Sequence, residues 1–236
     1  MQKLAAVLRK YRVLALSDEI YSGTHFTGEH VSLARYYPEG TIISNGLSKW
    51  CGAGGWRLGF FVFPQSLSWL ANAMAAVASE TFTSTSAPIQ YAAVTALEDR
   101  PEMRDYLLHS RQILAALAGH AHRTLTDEGA TLSQPTGGFY LFPQFEAQRP
   151  SLAARGIENG QNFCQRLLEE TGVAALPGDC FGRPRRELST RLAIVDFDGA
   201  KALQQAESET VDESFVRRHC SHVTTAVEHL AEWAGN

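Results

Sequence analysis

Residues 44–63, SNGLSKWCGAGGWRLGFFVF, decide how this chain is read. One lysine, Lys49, stands between the apolar run Thr41, Ile42, Ile43 and a glycine-rich segment. Eight residues later comes Arg57, inside Gly55-Trp56-Arg57-Leu58-Gly59, and a second apolar run follows at once. A lysine at a strand end can be desolvated, which disfavours its ammonium form. The neutral amine can then attack a carbonyl and form a Schiff base. Arg57 is permanently charged and forked, which suits a phosphate. The plain alternative is a solvated surface lysine beside a turn, since lysine is seldom buried.

The company of Lys49 argues against that alternative. Upstream, Ser17-Asp18-Glu19-Ile20-Tyr21 directly follows the apolar run Val13-Leu14-Ala15-Leu16, at the carboxyl end where open α/β sheets place ligands. A carbonyl and a phosphate on one ligand suggest pyridoxal phosphate. Asp18-Glu19-Ile20-Tyr21, then Gly46-Leu47-Ser48-Lys49, then Gly55-Trp56-Arg57-Leu58-Gly59 together resemble a class I/II aminotransferase, a pyridoxal-phosphate (PLP) enzyme of fold type I. Later pieces agree: Pro135-Thr136-Gly137-Gly138-Phe139-Tyr140, Pro177-Gly178 with Phe181-Gly182, and Thr190-Arg191-Leu192 leading into an apolar run. The resemblance covers nearly the whole chain.

The resemblance implies a role for each matching residue. Asp18 would pair with the pyridine nitrogen and keep it protonated, so that the ring withdraws electrons from a carbanion. Tyr21 would hydrogen-bond the ring's phenolate oxygen. Lys49 would carry the Schiff base and then shuttle the substrate's α-proton. Ser48 and Arg57 would bind the cofactor phosphate, the first as a donor and the second as a fork. Arg191 would clamp a substrate α-carboxylate in two parallel hydrogen bonds. The reaction implied moves an amino group between an amino acid and a 2-oxo acid, and a homodimer is the expected assembly. Ser84-Thr85-Ser86 is a candidate for approaching the cofactor of a partner subunit.

Each residue also has a plainer reading. Asp18 alone could cap a helix, Tyr21 could be a partly buried tyrosine, and Arg191 could sit on an edge strand in a surface ion pair. Glu19 and Ile20 read as structural, Trp50 and Cys51 as packing residues. One departure is visible: many relatives carry a serine three residues before the lysine, where this chain has Gly46. Phosphate binding then depends more on Ser48, with Ser44 as a further candidate.

Composition narrows the class. Over 236 residues, 25 acidic against 21 basic side chains leave a formal charge of −4, which argues against a nucleic-acid partner. Cys51, Cys164, Cys180 and Cys220 are scattered without a CxxC pair, as expected of reduced thiols in the cytosol. His219 and His222 lie three apart but nothing completes a metal set. No apolar stretch reaches the ~18 residues of a membrane span, and basic residues interrupt the N-terminus, so neither a membrane nor a signal peptide is expected. A cytoplasmic location follows as the expectation.

Periodicity predicts a helix over 2–11 and short strands at 13–16, 41–44 and 58–63. Helices are predicted over 67–79 (capped by Ser66), 88–97 and 101–126. A strand is expected at 139–142, a helix over 162–171, strands at 173–176 and 190–195, and a closing helix over 213–233. Residues 147–160 read as a loop with room for a turn of helix, and 196–205 as a polar connection. Strands alternate with helices, so the class is α/β. With the resemblance, the expected fold is PLP-dependent transferase-like: the C-terminal part of the large-domain sheet over 1–100, plus a small α/β domain over 101–236.

The resemblance also implies parts that this sequence does not contain. These are a small-residue phosphate loop at a helix N-terminus, an aromatic stacked on the pyridine, and an asparagine opposite Tyr21. All three are expected upstream of Met1. The chain is thus expected to be incomplete, and poorly soluble or inactive unless another polypeptide supplies the rest. Two rivals remain open at this stage: a C–S lyase or aminocyclopropane-carboxylate-synthase-like enzyme of the same fold, and a non-catalytic remnant. A nucleotide-binding domain lacks its glycine motif here.

Overall fold

The run Thr41-Ile42-Ile43 forms the middle of a three-stranded sheet in the computed structural model, which describes residues Met1–Asn236. Strand β1 (Ala15–Asp18) lies parallel to β2 (Thr41–Gly46) on one side, and β3 (Gly59–Val62) lies antiparallel on the other. The register sets Asp18 beside Ser44, and Gly46 beside Gly59. The first strand, expected at 13–16 and, from its continuous apolar run, to be buried, begins later, at Ala15, and Val13, Leu14 and Leu16 are exposed. The reason is position, because β1 is an edge strand with one neighbour.

Helix α1 (Gln2–Tyr11) feeds β1 through Arg12, whose left-handed backbone ends the helix. Ala5 of α1 packs with Leu33 and Tyr37 of the long loop between β1 and β2. That loop carries a short helical turn, Leu33–Arg35, in which the amide of Ala34 donates to Ser32 Oγ. Ser66 does not cap α2 (Ser68–Thr81): its hydroxyl donates instead to the carbonyl of Glu39, 2.7 Å away. Helix α3 (Ala87–Leu97) and the start of α4 (Pro101–Asp127) close over Leu47, Trp50 and Leu58 through Ala93, Ile89, Met103 and Leu107. Residues flanking Lys49 in sequence therefore form one of the buried clusters of this unit.

The chain divides into two compact units, Met1–Leu107 and Leu108–Asn236, and the division falls inside α4. In the second unit, β6 (Thr190–Ala193) lies between β4 (Tyr140–Leu141) and β5 (Leu176–Pro177), antiparallel to both. The strand expected at 173–176 is thus displaced to Leu176–Pro177. Helices α5 (Arg149–Ala154) and α6 (Gly160–Thr171) accompany the sheet. Asn159 caps α6 by accepting the amide of Asn162, and Gly172 at φ 76° ends it. The core gathers Leu117, Ala121 and Leu125 of α4 with Phe145, Leu152, Phe163, Leu167 and Ile194, all nearly or fully inaccessible. Phe145 stacks on Phe163 at 4.7 Å, and Trp233 meets Phe163 edge-on at 5.1 Å.

Two further expectations are corrected in this unit. Residues 196–205 are not simply a polar connection: α7 (Gly199–Ala206) starts where Asp198 accepts the amide of Lys201. The single closing helix is two, α8 (Glu213–His219) and α9 (Ser221–Gly235), separated by Cys220, whose backbone (φ −129°, ψ 35°) leaves the helical conformation. Cys220 is fully buried there, so the break seats it in the core while both helices keep an apolar face inward. No helix is long and apolar enough to cross a membrane.

Candidate active site

The site in the first unit is built from the carboxyl ends of two neighbouring parallel strands. Asp18 ends β1 and is exposed; one of its oxygens accepts the amide of Ile20 at 3.3 Å, which holds the carboxylate at the turn. Tyr21 follows in that turn, where its carbonyl accepts both the amide and the hydroxyl of Thr24. At Gly23 an added Cβ would collide with the side chain of Trp50, so only glycine lets this turn close against the lysine segment. The close approach brings Lys49 Nζ to 5.9 Å from the centre of the Tyr21 ring.

Lys49 is half-buried, on a turn that follows β2 and is anchored by the core residues Leu47 and Trp50. The amide of Ala53 returns to the carbonyl of Leu47 at 3.1 Å, closing the turn around the lysine. Beyond it, Arg57 adopts φ 56°, a left-handed conformation that is an outlier for a bulky side chain. Such strain costs about 1–3 kcal/mol and clusters at ligand sites. Its Nη1 donates to the carbonyl of Gly54 at 2.8 Å, which aims the fork and leaves other donors for an anion.

Arg57 and Ser48 line one cavity of about 280 Å³, together with Asn45, Gly46, Gly59, Phe82 and Thr85. A guanidinium, two hydroxyls and a carboxamide around such a space match the donor set a phosphate needs. The glycine departure has a steric cause: a Cβ at position 46 would lie 2.7 Å from the carbonyl oxygen of Leu58 and 3.1 Å from Cα of Gly59. Ser44 sits within the ladder between Asp18 and Phe61 and does not line the cavity. Asn45 is an addition to the expected ligands, and Thr85, expected near a partner subunit's cofactor, lines this cavity of its own chain. The Asn-Gly pair beside the lysine motif was the available signal for the first, and nothing near Thr85 marked it for its own chain's cavity.

Arg191 lies in the second unit, on the central strand β6, so the edge-strand alternative does not hold. Its guanidinium sits between two aromatic rings, 4.3 Å from the centre of Tyr140 and 4.2 Å from that of Phe181. Contact with two aromatic rings restrains the guanidinium. The neighbouring arginines are otherwise engaged: Arg183 forks onto Glu187 at 2.8 and 2.9 Å, and Arg185 donates to Gln161. Cys51 is partly buried, which raises its thiol, in keeping with a packing role. No group of histidine, cysteine and carboxylate residues could hold a metal ion.

Residues 1–201 match the family model described as aminotransferase class I and II. The chain is 34% identical over 189 residues to an aspartate aminotransferase of Geobacillus stearothermophilus, covering 78% of this chain and 46% of that protein. It is 33% identical over 181 residues to a probable N-acetyl-LL-diaminopimelate aminotransferase of Bacillus subtilis, covering 77% and 42%. Among solved structures, Thermus thermophilus aspartate aminotransferase with maleate superposes with a TM-score of 0.74 at 26% identity, over 98% of this chain and 51% of that one.

These matches define a PLP-dependent fold of type I, mixed α/β. The chain belongs to the class I and II aminotransferases. It spans about half the length of the relatives it matches. Class I and II aminotransferases use pyridoxal phosphate.

Proposed function

We propose that this chain carries the lysine-bearing part of a pyridoxal-phosphate aminotransferase that moves an amino group between an amino acid and a 2-oxo acid. The observation that supports it most is the convergence of two strand ends: Lys49 Nζ over the Tyr21 ring, Asp18 beside Ser44, and Ser48 with Arg57 around one cavity. When bound, the cofactor supplies an electron sink for the carbanion at the substrate's α-carbon. Arg57 and Ser48 take the phosphate. Asp18 keeps the proton on the ring nitrogen, because a carboxylate beside it favours the charged form. Tyr21 donates its hydroxyl proton toward the ring oxygen.

Lys49 would hold the cofactor through Nζ and would act as the base that moves the substrate's α-proton. Arg191 takes the substrate's α-carboxylate, with Tyr140 and Phe181 holding its guanidinium flat. A homodimer in the cytoplasm is the assembly and location we assign. The test is a titration of the purified chain with pyridoxal phosphate, followed by borohydride reduction and mass analysis. A visible band absent from Lys49→Ala, with the added mass on the Lys49 peptide, is expected. A folded chain that gains no lysine-dependent band would overturn the assignment.

A further inference from the structure

Next to Asp18 stands a second carboxylate that the roles above do not use. Glu19 is 7% exposed, in a protein whose acidic side chains are mostly at the surface. A buried carboxylate must be matched by donors. Glu19 has three from two segments: its Oε1 accepts the hydroxyls of Ser17 at 3.0 Å and Ser32 at 2.6 Å, and its Oε2 meets His30 Nε2 at 3.0 Å. Ser32 also caps the turn Leu33–Arg35, so the carboxylate ties that turn to the end of β1.

The backbone of Glu19 is equally engaged. Its amide donates to the carbonyl of Ser44 at 2.8 Å, carrying the β1–β2 ladder one residue past Asp18. Its carbonyl accepts the amide of Ser22 at 2.9 Å, closing the turn that holds Tyr21. Side chains alternate across a strand, so Ser17 and Glu19 share one face and Asp18 points to the other. Locking Glu19 inward therefore fixes Asp18 outward, and the same residue bounds the Tyr21 turn.

The geometry points to Glu19 as a positioning residue: held by Ser17, Ser32 and His30, it sets the orientation of Asp18 and Tyr21 toward the cofactor ring. This inference rests on the cofactor reading given above. It assigns Glu19 no contact with cofactor or substrate.

The test compares Glu19→Ala, Glu19→Gln and Leu67→Ala in the 236-residue chain, the last a buried residue of the same unit outside the Glu19 contacts. Glutamine keeps an oxygen for both serines and offers an amide to a neutral imidazole, so it should restore the geometry. Two readouts are needed. Without cofactor, amide hydrogen exchange at positions 19 and 22 should accelerate at least about tenfold in Glu19→Ala beyond Leu67→Ala, and stay near wild type in Glu19→Gln. With pyridoxal phosphate, the dissociation constant read from the visible band should rise about tenfold in Glu19→Ala and recover in Glu19→Gln.

Unchanged exchange at both amides overturns the inference whatever the cofactor does. Accelerated exchange with unchanged affinity overturns it too, leaving Glu19 a structural residue. A wild-type chain with no Lys49-dependent band overturns the cofactor reading and, with it, the claim about the ring. The exchange data would still decide whether Glu19 holds the strand end.

Discussion

Serine cannot replace Gly46 without moving backbone, because its Cβ would press on Leu58 O and on Gly59 in the paired strand. Gly46→Ser is accordingly expected to destabilise the first unit by about 1–3 kcal/mol. A urea midpoint equal to that of wild type would contradict the steric account. The thiols give a second check. Burial pushes Cys164 and Cys220 up to about 12, whereas Cys180 is exposed. In the native chain Cys180 should alkylate first and Cys164 and Cys220 only on unfolding, read by peptide mass mapping. Equal labelling of all three would refute it. At this scale Lys49, Arg57, Asp18 and Tyr21 were legible because each stands in a short motif with a chemical rationale. Glu19 was read only as structural because its partners His30 and Ser32 lie in a loop that carries no pattern. The aromatic faces around Arg191 come from segments distant in sequence, and no spacing announces them.

Elements were legible where an apolar period ran long enough, as in α4, and blurred where tertiary packing overrode it. The period over 213–233 continues across Cys220, yet the chain breaks there to bury that residue between α8 and α9. Helix α7 was missed because its start depends on the Asp198 cap inside an otherwise polar stretch. Helices α4, α8 and α9 of the second unit meet around His120, which is 1% exposed on α4. Its Nδ1 lies 3.3 Å from Glu213 at the start of α8 and its Nε2 3.7 Å from Glu228 on α9, while Arg217 bridges both carboxylates. Removing the fully buried ring leaves a cavity between the helices, while Arg217 still holds both carboxylates. His120→Ala should therefore cost about 2 kcal/mol or more, with the loss seen in the melting of the second unit. A variant as stable as wild type would show that the contacts carry no net energy.

For the whole molecule, the α/β class and its alternation were legible, but not which surfaces the chain itself covers. In the first unit Leu16, Phe61, Trp69, Tyr91 and Val94 are exposed, and β1 has a free edge. Patches of this kind favour association. Sedimentation of the chain should show a concentration-dependent shift to larger species, and a strict monomer at high concentration would contradict that. The second unit carries an acid dependence. Arg149 holds the Glu146 carboxyl, and Arg183 the Glu187 carboxyl, below the usual value of 4.5. A lowered folded value means that the stabilisation is complete above that pH and lost as pH falls through the lower folded values. The melting temperature of this unit should therefore decline on acidification below 4.5, less steeply in Glu146→Gln. A melting temperature that rises with acid would reverse the sign.

The central claim is that Lys49 is the covalent anchor of a pyridoxal cofactor, and borohydride trapping tests it most directly. After reduction in the presence of pyridoxal phosphate, the account predicts added mass on the Lys49 peptide alone and none in Lys49→Ala. Mass spread over surface lysines, or equal labelling of the variant, would contradict it.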